Sequence, residues 1–374
     1  MNNRLIMTPL NLLSSINQPA DLRRLERTQM KALAQELREF VLQSVSSTGG
    51  HLSSNLGTVE LTIALHAVFE TPHDRLVWDV GHQAYPHKLL TGRLARFGSL
   101  RQLGGIGGFP RRTESPHDVF DGGHAGTGIS IGQGLALARD VRGGSEKIAV
   151  VVGDAALMSG LSLEALNDIG HRQTKMLIVL NDNEMSIAPN VGAMHKYLTS
   201  IQRNPLYNRL RSRIGEIVDN APAPFTGVST LVRKWEESMK SLLTPGVLFE
   251  ELGFRYFGPI DGHDLDALLE TFTAVRAMNT PRLVHVITKK GKGFPAGDHG
   301  EKWHALPPGH DPATGKQLAV STANPAYTTV YGKGLAELGE ERKDIAVITA
   351  AMPTGTGTSP FAKAFPDRFF DVGI

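Results

Sequence analysis

Two loops in this 374-residue chain carry oxygen-bearing side chains of the kind that hold a divalent cation against phosphate. Gly153-Asp154 follows the hydrophobic run Lys147–Val152, and Asn181-Asp182-Asn183-Glu184-Met185 follows the run Lys175–Leu180. Mg²⁺ takes hard oxygen donors in an octahedron at ~2.0–2.1 Å, commonly one or two side chains plus phosphate oxygens. Asp154, the Asn183 amide oxygen and a backbone carbonyl near Met185 meet that demand. Either loop alone reads equally as turn chemistry, since Gly-Asp and Asn-Asp-Asn are ordinary turn sequences. The small residues Gly153, Ala155 and Ala156 suit a backbone that approaches a phosphate closely, and a helix start just after them offers unpaired N–H groups.

The elements around these loops decide whether they can meet. A helix-like stretch, Gly160–Asn167, separates the two runs, so the unit is strand–helix–strand. That crossover makes the strands parallel and brings both loops to one edge of the sheet, where open α/β sheets bind ligands. Further strands are expected at Leu76–Val80, Phe254–Phe257 and Arg282–Thr288, and helices at Thr28–Val45, Thr58–Phe69, Tyr85–Leu90, Ile129–Val141 and Asp264–Met278. The alternation predicts an α/β fold: a doubly wound, mostly parallel sheet covered on both faces. Residues 1–20 read as a loosely ordered arm, 21–307 as the main domain and 308–325 as a linker. Within the main domain, 195–245 is a basic, helical insertion. Residues 326–374 repeat the pattern with Tyr327–Leu338, Ile345–Ala350, Ser359–Phe365 and Phe369–Val372, too little to stand alone as a domain.

Composition removes several classes of function. Hydrophobic residues make up 41% and charged residues 20%, as in a globular protein with a sizeable core. The net charge of +2 gives no general attraction to nucleic acid or to an anionic membrane. With no cysteine there is no disulfide, thiolate ligand or cysteine nucleophile. No apolar run approaches the ~18 residues of a membrane span, and the first 20 residues lack a secretory pattern, so a cytoplasmic location is expected. Fourteen histidines leave imidazole chemistry available. His51, His82 and His124 lie in glycine-flanked loops, whereas His66 lies on a helix face and reads as a core or surface residue. Lys289, Lys290 and Lys292 could neutralise phosphate, although a basic strand end is more often solvated.

Four stretches carry a family resemblance: Gly50-His51-Leu52-Ser53-Ser54-Asn55-Leu56-Gly57, Trp78-Asp79-Val80-Gly81-His82-Gln83-Ala84-Tyr85, Leu180-Asn181-Asp182-Asn183-Glu184-Met185-Ser186-Ile187, and Gly258–His263 with Thr288–Gly293. In these the chain resembles 1-deoxy-D-xylulose-5-phosphate synthase, a thiamine-diphosphate enzyme related to transketolase. The resemblance runs from about Asp21 to Ile374. It implies a thiamine-diphosphate-binding fold, a homodimer, and condensation of pyruvate with D-glyceraldehyde 3-phosphate with loss of CO₂. The product would feed isoprenoid, thiamine and pyridoxal synthesis. By position, the resemblance assigns Mg²⁺ to Asp154, Asn183 and the Met185 carbonyl. It assigns the cofactor to His82, Gly123, His124, Ala125, Asp154, Ala155, Ala156, Asn183 and Phe294. His51 and His304 would sit over the reacting carbons and pass protons near neutral pH.

The chain departs from the family pattern at Ala155, where glycine is usual, at Phe294, where tyrosine is common, and at Pro353-Thr354, which replaces an Arg-Glu pair. An angle open only to glycine would be strained at Ala155. The resemblance also places a cofactor-binding glutamate just past Ile374, so this chain alone is expected to lack synthase activity. Three other readings compete. Gly126-Thr127-Gly128-Ile129-Ser130-Ile131-Gly132 is one residue off a dinucleotide fingerprint and has no apolar strand before it. Transketolase itself would differ in using a ketose-phosphate donor. A truncated, non-catalytic remnant would retain only weak Mg²⁺–diphosphate binding.

Overall fold

Three of the strands are near-continuous runs of Val, Ile and Leu, which suits a sheet buried on both faces. The computed structural model describes residues 11–183, 246–294, 303–318 and 324–373. Its central sheet contains β1 (Arg75–Trp78), β2 (Ile148–Gly153), β3 (Leu177–Asp182), β4 (Arg255–Asp261) and β5 (Arg282–Ile287). All neighbours are parallel, in the order β1-β2-β3-β5-β4. The last strand in sequence therefore inserts between β3 and β4.

Side chains alternate between two cores, as a two-residue period requires. Ala149, Val151, Val179 and Val284 join one cluster with the helices α1 (Arg27–Thr48), α2 (Ser53–Gly57) and α3 (Val59–Val68). Val150, Val152, Ile178 and Leu283 face the other, covered by α4 (Gly128–Arg142), α5 (Asp154–Leu157) and α6 (Gly160–Arg172). Another helix, α7 (Leu265–Arg276), joins β4 to β5, packs into the first cluster, and starts at an Asp264 carboxylate that accepts the Asp266 and Ala267 N–H groups.

Two stretches expected to be loose are packed where they are described. Within the arm, Leu13 and Ile16 are buried, and the Glu36 carboxylate accepts the Leu12 and Leu13 N–H groups. Within the linker, the Gly309 and His310 N–H groups both donate to the Ser46 carbonyl, and a Cβ on Gly315 would lie 2.3 Å from the Trp303 ring. Apolar anchors at wide spacing account for the arm, and backbone hydrogen bonds to Ser46 of α1 account for the linker; neither shows as a periodic pattern. The insertion 195–245 lies outside the described residues.

Towards the end of the chain, α8 (Tyr327–Glu341) and α9 (Ser359–Ala364) pack together through close glycine contacts. They accompany a parallel pair, β6 (Val347–Thr349) and β7 (Phe369–Asp371).

Candidate functional site

Three histidines from separate loops meet beside the carboxyl edge of the sheet. The short antiparallel pairing of Gly50–His51 with Ala305–Leu306 brings His304 next to His51, with ring centroids 5.4 Å apart. His82 lies 5.7 Å from His51 and 5.4 Å from His304.

Asn55 holds two of these loops. Its side chain is wholly buried in α2, where Nδ2 donates to the His51 carbonyl (2.8 Å) and the His82 carbonyl (2.7 Å), and Oδ1 accepts the Tyr85 N–H (2.7 Å). The amide orientation follows from its partners: the two carbonyls only accept and the Tyr85 N–H only donates. The Tyr85 hydroxyl accepts the His51 N–H at 3.2 Å. A second asparagine, Asn181 at the end of β3, donates to Gln83 Oε1 (2.9 Å) and accepts the Thr288 hydroxyl (2.6 Å). Ser53 completes the scaffold, accepting the Gly291 N–H (2.9 Å) and donating to the Trp303 carbonyl (3.0 Å).

The two oxygen-bearing loops stand on adjacent strands. Gly153 and Asn181 are register partners, so Asp154 and Asn183 leave neighbouring strands at the same edge, strands that run about 4.8 Å apart. Asp154 is buried at the first position of α5. Ala155 is helical and absent from the positive-φ positions, so the expected strain does not arise. Met185 lies outside the described residues. Among the described residues, no group of three or more His, Cys, Asp or Glu is gathered in metal-binding range, so a cation here would depend on mixed carboxylate, amide and carbonyl donors.

The glycine loop is tied to this edge from two sides. Asp79 Oδ2 and Oδ1 accept the Gly126 N–H (3.0 Å) and Gly128 N–H (2.7 Å). The Ser162 hydroxyl bridges the Gly126 carbonyl (3.2 Å) and the Ala156 carbonyl (2.9 Å). Gly123 and His124 are exposed on this loop, and Ala125 is half-buried. Between Asp79 and His82, Val80 takes φ 59°, a costly angle for a β-branched residue that turns the chain out of β1 towards the site.

Burial dominates the electrostatics. It pushes His51 down to about 3, helped by His304, and His304 down to about 4, helped by Lys290. His82 is also driven well below the ordinary histidine value, by burial and then by His51 and His304. Burial thus favours the neutral form of all three rings, and an anionic ligand would raise them. Lys290 is not a solvated strand end. Burial pushes it down to about 8 against the opposing pull of Asp154. Nδ1 of all three histidines, with Ser53 Oγ, Ser54 Oγ and Gln83 Nε2, is buried without a hydrogen-bond partner. Buried polar atoms normally have partners, so this set fits a polar ligand that would supply them.

Phe294 is buried edge-on to Trp303, with centroids 5.1 Å apart. The positioning residues Asn55, Tyr85, Asp79 and Asn181 escaped sequence reasoning, although all lie in the motifs quoted above. The one available signal was an asparagine enclosed by Leu52 and Leu56 in a short helix, where a polar amide needs a reason to be buried.

A family profile described as 1-deoxy-D-xylulose-5-phosphate synthase matches residues 13–288. The chain belongs to the 1-deoxy-D-xylulose-5-phosphate synthase family. It is 51% identical over 364 residues to 1-deoxy-D-xylulose-5-phosphate synthase 1 of Geobacter sulfurreducens, covering 97% of this chain and 57% of that protein. It is 50% identical to the synthase of Heliobacterium modesticaldum, covering 97% and 56%. The chain thus spans little more than half the length of these relatives. Among solved structures, transketolase from Campylobacter jejuni superposes with a TM-score of 0.56 at 17% identity, over 94% of this chain and 62% of that one. Transketolase from Leishmania mexicana gives 0.54 at 16% identity, over 92% and 60%. At those identities the likeness is one of fold.

Proposed function

We propose that this chain carries the metal-and-diphosphate half of a thiamine-diphosphate site, in an enzyme that condenses pyruvate with D-glyceraldehyde 3-phosphate and releases CO₂. The observation that carries this reading is the placement of Asp154 and Asn183 on adjacent strand ends, with Lys290 and three histidines whose Nδ1 atoms lack hydrogen-bond partners beside them. Asp154, Asn183 and the Met185 carbonyl would hold Mg²⁺. The glycine loop Gly123-His124-Ala125, Ala155, Ala156 and His82 would line the cofactor, with Phe294 behind.

Thiamine diphosphate, once bound, supplies a nucleophilic thiazolium carbon and an electron sink for decarboxylation. The chain's own residues do the rest. Lys290 offsets diphosphate charge from a half-buried position, where a cation counts for more than in water. The α5 N-terminus directs N–H groups towards the same edge. As neutral imidazoles, His51 and His304 each offer one donor and one acceptor to a carbonyl or hydroxyl near the reacting carbons. Pyruvate as donor distinguishes this reading from transketolase, and the synthases are matched at 51% identity against 17% for the transketolase fold. The cytoplasm and a homodimeric assembly are the setting this reading implies.

Titration of the protein with thiamine diphosphate and Mg²⁺, followed by calorimetry, tests it. Saturable, Mg²⁺-dependent binding is expected, lost in Asp154→Ala and much weaker for thiamine monophosphate. Binding that is indifferent to Mg²⁺ and to Asp154 would contradict the reading.

A further inference from the structure

The turn Lys289–Gly293 presents Lys290 towards Asp154, and something must set its height above the sheet. Inside the site it is fastened by the Gly291 N–H to the Ser53 carbonyl, 2.9 Å. On its outer side stands His263, in the loop between β4 and α7. His263 Nε2 accepts the Lys289 N–H at 2.9 Å, and Nδ1 faces Glu60 Oε2 at 3.2 Å.

These partners determine the tautomer. A backbone N–H only donates, so Nε2 carries no proton; a carboxylate only accepts, so the proton sits on Nδ1. Glu60 is in turn paired with Arg38, whose other terminal nitrogen donates to the Leu56 carbonyl at 3.1 Å. Burial would raise Glu60, but the hydrogen bond from His263 and the Arg38 charge outweigh it and hold the carboxyl below its ordinary value. His263 is oriented from its own loop as well, its N–H donating to Asp261 Oδ1 at 2.8 Å. The surroundings leave little slack: a Cβ on Gly57 would lie 3.0 Å from the Lys289 carbonyl, and one on Gly293 would lie 2.5 Å from Arg38 Cδ.

We propose that His263 is a positioning residue for the site, the acceptor at Nε2 fixing the Lys289 N–H and so the placement of Lys290 beside Asp154. This rests on the reading of Lys290 as part of a diphosphate site, but the geometry it claims stands apart from any ligand. His263 touches neither the histidine cluster nor Asp154 and acts only through the turn.

The test uses the 374-residue chain with three substitutions. His263→Gln keeps an acceptor near the Nε2 position, His263→Asn keeps only the Glu60 side, and His263→Ala keeps neither. Two readouts are taken on each folded protein: hydrogen exchange at the Lys289 amide without ligand, and affinity for thiamine diphosphate with Mg²⁺. His263→Ala and His263→Asn are expected to lose Lys289 protection and to bind about tenfold more weakly, roughly the worth of one buried hydrogen bond, with His263→Gln restoring both. Unchanged Lys289 exchange in His263→Ala would overturn the proposal. So would rescue by Asn as complete as by Gln, which would assign the role to Glu60 instead, or a Gln protein no better than Ala. Failure of the unsubstituted chain to bind the cofactor would sink the diphosphate reading alone, because the Lys289 exchange still decides this one.

Discussion

Replacing Asn55 by alanine should damage the protein more than any exposed substitution near the site. The side chain makes three hydrogen bonds, at 2.8, 2.7 and 2.7 Å, all to backbone groups of the His51 and His82 loops or Tyr85. Neutral hydrogen bonds contribute about 1 kcal/mol each, and a buried donor left without a partner costs about 1–3 kcal/mol more. The Tyr85 N–H would be such a donor, because Tyr85 is fully buried. Together these give a destabilisation of about 4–6 kcal/mol for Asn55→Ala. Asn55→Asp sharpens the argument. It keeps the acceptor for Tyr85 but turns both donors into acceptors facing carbonyl oxygens, so it should cost at least as much despite its matching shape. Urea unfolding monitored by circular dichroism measures both. A loss below about 1 kcal/mol for alanine, or a tolerated aspartate, would show that Asn55 does not hold these loops.

Acid should destabilise the fold well above the carboxylate range. His51 and His304 are held at about 3 and about 4 when folded, against about 6.5 unfolded. Because the folded values are lowered, their contribution is present above pH 6.5 and drains away as pH falls, each by up to about 1.4 kcal/mol per pH unit. Equal unfolding free energies at pH 7 and pH 5 would contradict this. Asp118 should be hard to remove: its carboxylate is buried against His87 Nε2 (2.9 Å) and Arg93 (2.6 Å), so Asp118→Ala leaves the buried guanidinium with only the more distant Glu114 carboxylate (3.6 Å) and should cost about 3 kcal/mol in urea unfolding. A mild effect would mean that Glu114 suffices as the counter-ion of Arg93. Gly126→Ala should fail twice, since φ is 78° and the added Cβ would lie 2.0 Å from Ser159 Oγ; a loss of about 2 kcal/mol or more is expected, with unchanged unfolding as the contrary result.

Part of this architecture is legible without coordinates. The apolar runs Lys147–Val152 and Lys175–Leu180, with one helix between them, require a right-handed parallel crossover, and that alone puts Asp154 and Asn183 at one edge. The motifs around His51 and His82 point to chemistry because glycine-flanked polar residues beside regular elements have few structural reasons to be there. Strand boundaries shift by a residue or two, as at Leu76–Val80, where the strand ends at Trp78 because Val80 turns out of it.

What only the tertiary structure decides is long-range. Local pattern does not say that β5 slots between β3 and β4, since strand order depends on which apolar faces find each other after the chain has closed. Nor does it say that Asn55 and Asn181 are the ties of the site, because an asparagine looks the same in a turn and in a core until its partners are known. Lys290 and the three histidines make the same point with charge. Their residue types are written in the sequence, but their protonation states follow from burial and from one another, and both arise only when distant segments are brought together.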